Sequence, residues 1–221
     1  MKRFLLWGFI ATLLSGCISA QVHSRQPLFG AAEAEDAPRL REGIWIVELD
    51  DAQERGRCRF SSDAPLRRWP DCAPWVLVRQ DAVAIFDPES QAWSAESYRI
   101  AQHPTGRMVW QEGPRGAASA GEYPYAYFVF EPLIRDDQGM VTRFTQRGAL
   151  CGPPNLEATG APGPVTLAPL EGLTMSSDGQ DCLATGADAV WRAVEQGQRT
   201  PPPGFTVRWV RTARDADFAP R

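Results

Sequence analysis

The sequence predicts a mainly β domain (α+β), an antiparallel meander of barrel or sandwich type with one C-terminal amphipathic helix. Three observations predict it. Short runs of β-branched and aromatic residues recur from position 43 onward. Turn residues separate consecutive runs at hairpin spacing. One stretch late in the chain changes from strand-like to helical period.

The first run is Ile44-Trp45-Ile46-Val47-Glu48-Leu49. Residues 75–78 and 83–86 are two more, and the polar Arg79-Gln80-Asp81 between them reads as a tight hairpin. Residues 97–102 and 107–111 flank His103-Pro104-Thr105-Gly106, where proline at the second position and glycine at the fourth suit a type I turn. Residues 125–134 and 140–147 flank Asp136-Asp137-Gln138-Gly139, with glycine placed for a positive φ. Pro132 predicts a bulge or an edge at the far end of the longer run, because proline lacks the N–H that a central strand donates. Three hairpins in succession make a meander the simplest assembly, and barrel and sandwich both remain open.

Residues 152–172 hold five prolines and four glycines in 21 positions and read as a loop. Ala187, Val190, Trp191 and Val194 then fall at i, i+3, i+4 and i+7, one apolar helical face. Thr185 with Asp188 suggests a capping box, and Gly197 a stop. After Pro201-Pro202-Pro203-Gly204, residues 206–211 form a last strand, and 212–221 read as a frayed tail.

The N-terminal end carries an address. Met1-Lys2-Arg3 is a short positive region, and residues 4–14 are apolar and uncharged, too short to span a bilayer core of about 30 Å but suited to the apolar part of a signal peptide. Leu14-Ser15-Gly16-Cys17 follows. This resembles the lipobox of bacterial lipoproteins. The resemblance covers seventeen residues; an ordinary signal peptide with a chance cysteine is the rival reading. It implies cleavage after residue 16 and lipid on the Cys17 sulfur, with three acyl chains in a Gram-negative envelope and hence a firm anchor. The next residue is Ile18 rather than an aspartate, which by the same analogy implies the outer membrane, facing the periplasm, or the cell surface where there is one membrane. In outline the chain is also similar to periplasmic lipoproteins of proteobacteria, a likeness that implies no named fold or activity. Four parts follow: a signal peptide (1–16), a lipidated flexible tether (17–42), one mainly β domain (43–211) and the tail. As a coil, the tether spans on the order of 25–30 Å.

Loss of Lys2 and Arg3 takes the 23 basic side chains to 21 against 27 acidic ones, a net charge of −6. Lys2 is the one lysine, so the mature chain has none. Without a basic stripe, nucleic acid is not expected as a partner. Apart from Cys17, four cysteines remain, an even count that argues for disulfides in an oxidising compartment. Cys58–Cys72 and Cys151–Cys182 are the favoured pairs, each local and each flanking a proline-containing loop. Zinc is the rival; there is no CxxC, and His23 and His103 lie far from the cysteines in sequence. No metal and no cofactor is expected, although a Ca²⁺ site in the Asp136 turn stays open.

Nothing stands out as an active site. G-x-S-x-G and S-x-x-K are absent, and His103 has the only turn position from which a histidine base is conceivable. Aromatic content is the unusual feature. Trp69 and Trp93, in polar surroundings, are expected to be exposed, and Tyr123, Tyr125 and Tyr127 alternate on one strand face, where they either face a ligand or fill a core. The leading expectation is a non-catalytic envelope lipoprotein, a structural or interaction module held to the membrane by lipid and working with an envelope protein partner. A ligand-binding β module for a lipid, glycan or small hydrophobic molecule is second. A hydrolase with an unfamiliar site is third.

Overall fold

The computed structural model describes residues 21–48, 58–70, 72–87, 92–115, 123–153, 168–176, 181–202 and 204–217. In chain order the strands are β1 (Gln21–Ser24), β2 (Gly43–Glu48), β3 (Trp75–Arg79), β4 (Ala82–Asp87), β5 (Ala92–Gln102), β6 (Met108–Arg115), β7 (Tyr125–Arg135), β8 (Val141–Gly148), β9 (Leu173–Met175), β10 (Asp181–Ala184) and β11 (Gly204–Arg211). Helix α1 (Ala31–Ala34) is a single turn, and α2 (Ala187–Arg199) is the amphipathic helix.

Eight strands close into an antiparallel barrel in the order β2-β3-β4-β5-β6-β7-β8-β11, and β11 returns to β2. Closure decides between barrel and sandwich. The three predicted hairpins form as read. Gly106 and Gly139 take φ of +85° and +78°, and each N–H closes its turn on the carbonyl three residues back, His103 and Asp136. Pro132 coincides with a shift in the β7–β8 register, where the ladder bulges. At the β3–β4 turn, Gln80 carries a φ of +33°, unusual for a residue with a side chain. Its N–H donates to Glu42 Oε1 (3.2 Å) and its carbonyl accepts from the Tyr98 hydroxyl (2.7 Å), so both sides of the strained residue are held.

Side chains fill the lumen, as expected of a barrel this narrow. Trp45, Val78, Tyr98, Ile100, Trp110, Phe130, Phe144 and Val207 form one buried cluster inside it. The residues alternating with these face outward, and many are buried too. Ile44, Ile46 and Leu77 on β2 and β3 lie under Leu66 and Trp69 of the segment that leads into β3. Ala101, Val109, Tyr127 and Val129 on β5 to β7 lie under Val22, Phe29, Ala189, Val190, Ala193 and Val194. That explains the unbroken apolar run of β2: a strand covered on both faces needs apolar residues at every position. The remaining outward sector, β8 and β11, is polar. Arg143 and Arg208, paired across those strands, both reach Glu48, and Arg147 reaches Glu131.

The outer cover over β5 to β7 is a small sheet that leaves the barrel. β1 pairs antiparallel with the first residues of β7 and parallel with β10, and β9 pairs with β10. Helix α2 packs on this sheet and on the barrel together. Gly197 lies inside the helix, not at its end. A Cβ there would meet Val129 Cγ2 at 3.1 Å and the Gly148 carbonyl at 3.2 Å, so the helix needs glycine to come this close. The predicted capping box is absent. Gly186 is the N-cap without a side-chain bond, and the Thr185 hydroxyl donates to the Gly172 carbonyl instead (3.1 Å).

Two further expectations are corrected. Residues 21–42 are not a tether but part of the fold. Val22 is fully buried, Phe29 packs edge-on against Tyr127 and Trp191, and Leu40 closes one mouth of the barrel. Between these anchors the chain is irregular, so side chains satisfy its backbone. Gln111 Oε1 accepts from the Leu28 and Phe29 amides, and Arg99 donates to the Phe29 carbonyl. Nor are residues 212–217 frayed. Arg211 and Asp217 form a two-pronged ion pair with both N···O distances 2.6 Å, and the Asp217 side chain is wholly enclosed. The signal-peptide and lipobox residues, with Cys17, lie outside the described residues, as do 154–167 of the proline-rich loop.

Candidate functional site

Both predicted disulfides form, Cys58–Cys72 and Cys151–Cys182, with Cα–Cα separations of 5.7 and 5.9 Å. Each secures one outer cover. Cys58–Cys72 closes the segment that carries Leu66 and Trp69, and Cys151–Cys182 ties β10 to the chain that follows β8.

The aromatic residues divide between core and surface. Trp69 is buried, not exposed. Its Nε1 donates to the Ala64 carbonyl (3.1 Å), its ring lies 4.5 Å from that of Phe60, and the Arg211 guanidinium sits 5.9 Å from it. Arg67 and Arg68 make the neighbourhood read as polar in sequence, but both point outward while the indole turns in. Tyr127 is fully buried, its hydroxyl 2.7 Å from Ser24 Oγ. Burial drives its pKa up to about 12 against the lowering effect of that hydrogen bond. Tyr125 packs half-buried at the rim of the same cluster. Tyr123 lies just before β7 with the Arg25 guanidinium 5.4 Å from its ring. The three tyrosines therefore do not form a ligand-facing row.

Trp93 is exposed, at 39%. It has company that the sequence did not reveal. Phe86 is its cross-strand partner, and Trp75 on β3 completes a trio with ring centroids 5.3–6.4 Å apart. These rings face outward on β3 to β5, at the barrel end opposite the β3–β4 turn.

Near that turn the chain leaves an open cleft of about 710 Å³. Ala31, Ala34, Ala37 and Leu40 line one wall, and Asp81, Tyr98, Arg99 and Ile100 the other. Its charges are mixed, Arg39 and Arg99 with Glu35, Glu42 and Asp81. Burial pushes the Tyr98 hydroxyl far above the ordinary tyrosine range, with the nearby Asp81 and Glu42 adding to the shift. A hydroxyl so reluctant to ionise, and already donating to Gln80, is no base near neutral pH.

The lumen itself is packed. Trp110 stacks on Tyr98 with centroids 4.3 Å apart, and Phe144 lies 5.8 Å away on a nearly parallel plane. Trp110 Nε1 has no hydrogen-bond partner among the described residues. Glu96 also faces inward, opposite Val83, and is 2% exposed. No sequence signal marks that burial, since Glu96 stands among exposed neighbours in β5.

The remaining candidates are occupied structurally. Asp136 Oδ1 accepts the Gln138 and Met140 amides and its Oδ2 accepts from Arg41, so both oxygens of that carboxylate are engaged within the fold. His103 is bonded to Thr105 and lies edge-on to Trp191. Among the described residues, no three His, Cys, Asp or Glu side chains gather as a metal site.

No family model matches the chain, and no curated protein or solved structure does either. Geometry and chemistry alone bear on its function.

Proposed function

We propose that the chain is an exported lipoprotein, lipidated at Cys17, whose barrel serves as a non-catalytic structural or interaction module at the periplasmic face of the outer membrane. Leu14-Ser15-Gly16-Cys17 behind a short apolar segment supports the export and the lipid. Two disulfides that use every cysteine apart from Cys17 fit an oxidising compartment. One observation carries the choice of an interaction module over a carrier: the lumen, where an eight-stranded barrel holds a ligand if it holds one, is filled by Trp45, Tyr98, Trp110, Phe130 and Phe144. Envelope partners would then meet the outer surface, and the unevenly covered barrel offers distinct faces to meet.

Carriage of a lipid, glycan or small hydrophobic molecule is the second reading. The open cleft and the Trp75–Phe86–Trp93 trio favour it.

Membrane fractionation tests the anchor. Cys17→Ala is expected to leave a folded, disulfide-bonded protein in the soluble fraction; a variant that stays with the membrane overturns the lipid reading. Native mass of that soluble form separates module from carrier. A mass equal to the oxidised chain supports the module, and a retained ligand moves carriage to first place. The soluble form must keep residues 21–42, because Val22, Phe29 and Leu40 belong to the core.

A further inference from the structure

We infer that the bilayer surface itself is the docking partner of the β1–β10–β9 side of the molecule, and that the lipid fixes which way the barrel faces. This rests on the anchor reading of Cys17. The first described strand, β1, starts at Gln21, four residues along the chain from Cys17. Four Cα–Cα steps at full extension reach about 13–14 Å. The headgroup layer on each side of a bilayer is roughly 5–7 Å deep. Gln21 therefore stays within a few ångströms of the headgroups, and a domain joined to it so closely has no room to stand off or to turn freely.

Gln21 is itself fixed. Its amide donates to Asp181 Oδ1 (3.2 Å), it pairs with Asp181 in the parallel β1–β10 ladder, and it bridges to Leu150. The next residue, Val22, is fully buried. The arm cannot lengthen by peeling off β1 without exposing Val22 and breaking the Ser24–Tyr127 hydrogen bond.

The sheet register shows what meets the lipid. Gln21 and His23 on β1, Asp181 and Leu183 on β10, and Thr174 on β9 are paired across the ladders and share one face. His23 Nε2 lies 3.6 Å from Asp181 Oδ1, so the face carries no surplus of positive charge. Its seat on the bilayer comes from the short arm and the acyl chains, not from anionic lipid, and zwitterionic vesicles suffice. β7, which carries β1, stands four strands from β3 around a ring of eight, on the opposite side. The segment leading into β3 and the Trp75–Phe86–Trp93 trio are thereby turned away from the membrane.

The absence of lysine from the mature chain makes the test direct: one introduced lysine is the sole side-chain amine. Thr174→Lys places it on exposed β9, and Arg67→Lys on the far cover. Each acylated protein is reconstituted in phosphatidylcholine vesicles and treated with a membrane-impermeant amine-reactive ester, and labelling is read by peptide mass. A form of each that begins at Ile18, and so carries neither the lipid nor Lys2, gives the reference rate. The bilayer is expected to slow labelling at position 174 about tenfold and to leave position 67 within about twofold, as burial in the headgroup layer requires. A flexible Gly/Ser insert of about 25 residues between Ala20 and Gln21, spanning roughly 25–30 Å, is expected to abolish the protection. Equal labelling at both positions on acylated protein overturns the orientation and leaves the anchor standing. No acyl mass on Cys17 overturns both.

Discussion

The barrel wears two outer covers, and they are built on different principles. Over β5 to β7 lies a layer of regular structure. The small sheet and α2 contribute Val22, Ala189, Val190, Ala193 and Val194 to a continuous buried cluster with the barrel wall. Over β2 and β3 lies irregular chain with few apolar anchors, chiefly Leu66, Trp69 and Ala73. Apolar burial at about 25 cal/mol per Å² is the main hold on the first cover, with Cys151–Cys182 fixing β10 at its edge. The second is closed by a disulfide and bolted by ions. Arg211 donates to the Ser62 and Ala64 carbonyls while gripping Asp217, and Arg214 donates to the Asp63 carbonyl. A cover that cannot bury enough hydrocarbon needs crosslinks and directional bonds.

The largest test of this contrast is a charge placed in the first cover. Val194 on α2 is fully buried, and Val194→Asp is expected to cost about 4 kcal/mol or more, since the carboxylate would have no counter-charge among its apolar neighbours. The midpoint of urea denaturation measures it. A loss under about 1 kcal/mol would mean that α2 is not part of the cooperative unit.

Disulfide removal follows. On the chain-entropy model, loss of Cys58–Cys72 costs about 3 kcal/mol and loss of Cys151–Cys182 about 3.7 kcal/mol. The difference between the covers is one of place rather than size. Replacing Cys58 and Cys72 by serine is expected to raise amide exchange across residues 58–74 and spare α2. Replacing Cys151 and Cys182 is expected to loosen β9 and β10 while α2 stays protected. Simultaneous loss of α2 protection in both would show that the covers are coupled through the barrel.

Asp217 gives a pH-dependent version. Burial works to raise its pKa, but the Arg211 hydrogen bonds, the Arg214 amide, the Arg211 charge and the Leu66 amide outweigh it and hold the carboxyl below the ordinary range. A depressed folded pKa means stabilisation that is complete above the unfolded value near 4 and is lost as pH falls through the folded value. Asp217→Asn is therefore expected to cost about 1–3 kcal/mol at pH 7 and progressively less in acid. Parallel stability curves from pH 7 to pH 3 would break the assignment.

The smallest effect is expected at Gly197. Alanine gains about 1 kcal/mol of helix propensity but crowds the Gly148 carbonyl and Val129, at a cost of 1–3 kcal/mol, for a net loss of about 1 kcal/mol. A gain in melting temperature would show that α2 can ride higher on the barrel.

The meander was legible because its turns are local chemistry. Pro104 with Gly106 and Asp136 with Gly139 define their hairpins without help from the rest of the molecule. The face of α2 was legible because its period is local too. Strands β1, β9 and β10 were not. At three or four residues each, they exist because the barrel, the helix and Cys182 give them partners. Residues 21–42 read as a tether for the same reason: Val22, Phe29 and Leu40 are spaced without period, and each is buried by a different part of the fold. The outward-facing aromatic trio was half visible. Trp93 stood out, but only the β3–β4–β5 register brings Phe86 and Trp75 to it. Trp69 misled because two flanking arginines say nothing of where the indole turns.

The closing strand has a consequence for how the protein is made. β11 is the eighth barrel strand in the sequence, yet it neighbours the first, pairing Trp209 with Trp45, and fills the gap beside β8 as well. Synthesis delivers β2 early and β11 last. At about 5–20 residues per second, the ~155 residues between them take roughly 8–30 s. Throughout that interval β2 presents a bare hydrogen-bonding edge, and β8 does so from its own synthesis onward; such edges invite pairing with other chains. A newborn molecule thus passes through an open ring that needs either a chaperone on its edges or dilution along the membrane, and a chain cut short before residue 204 never leaves that state.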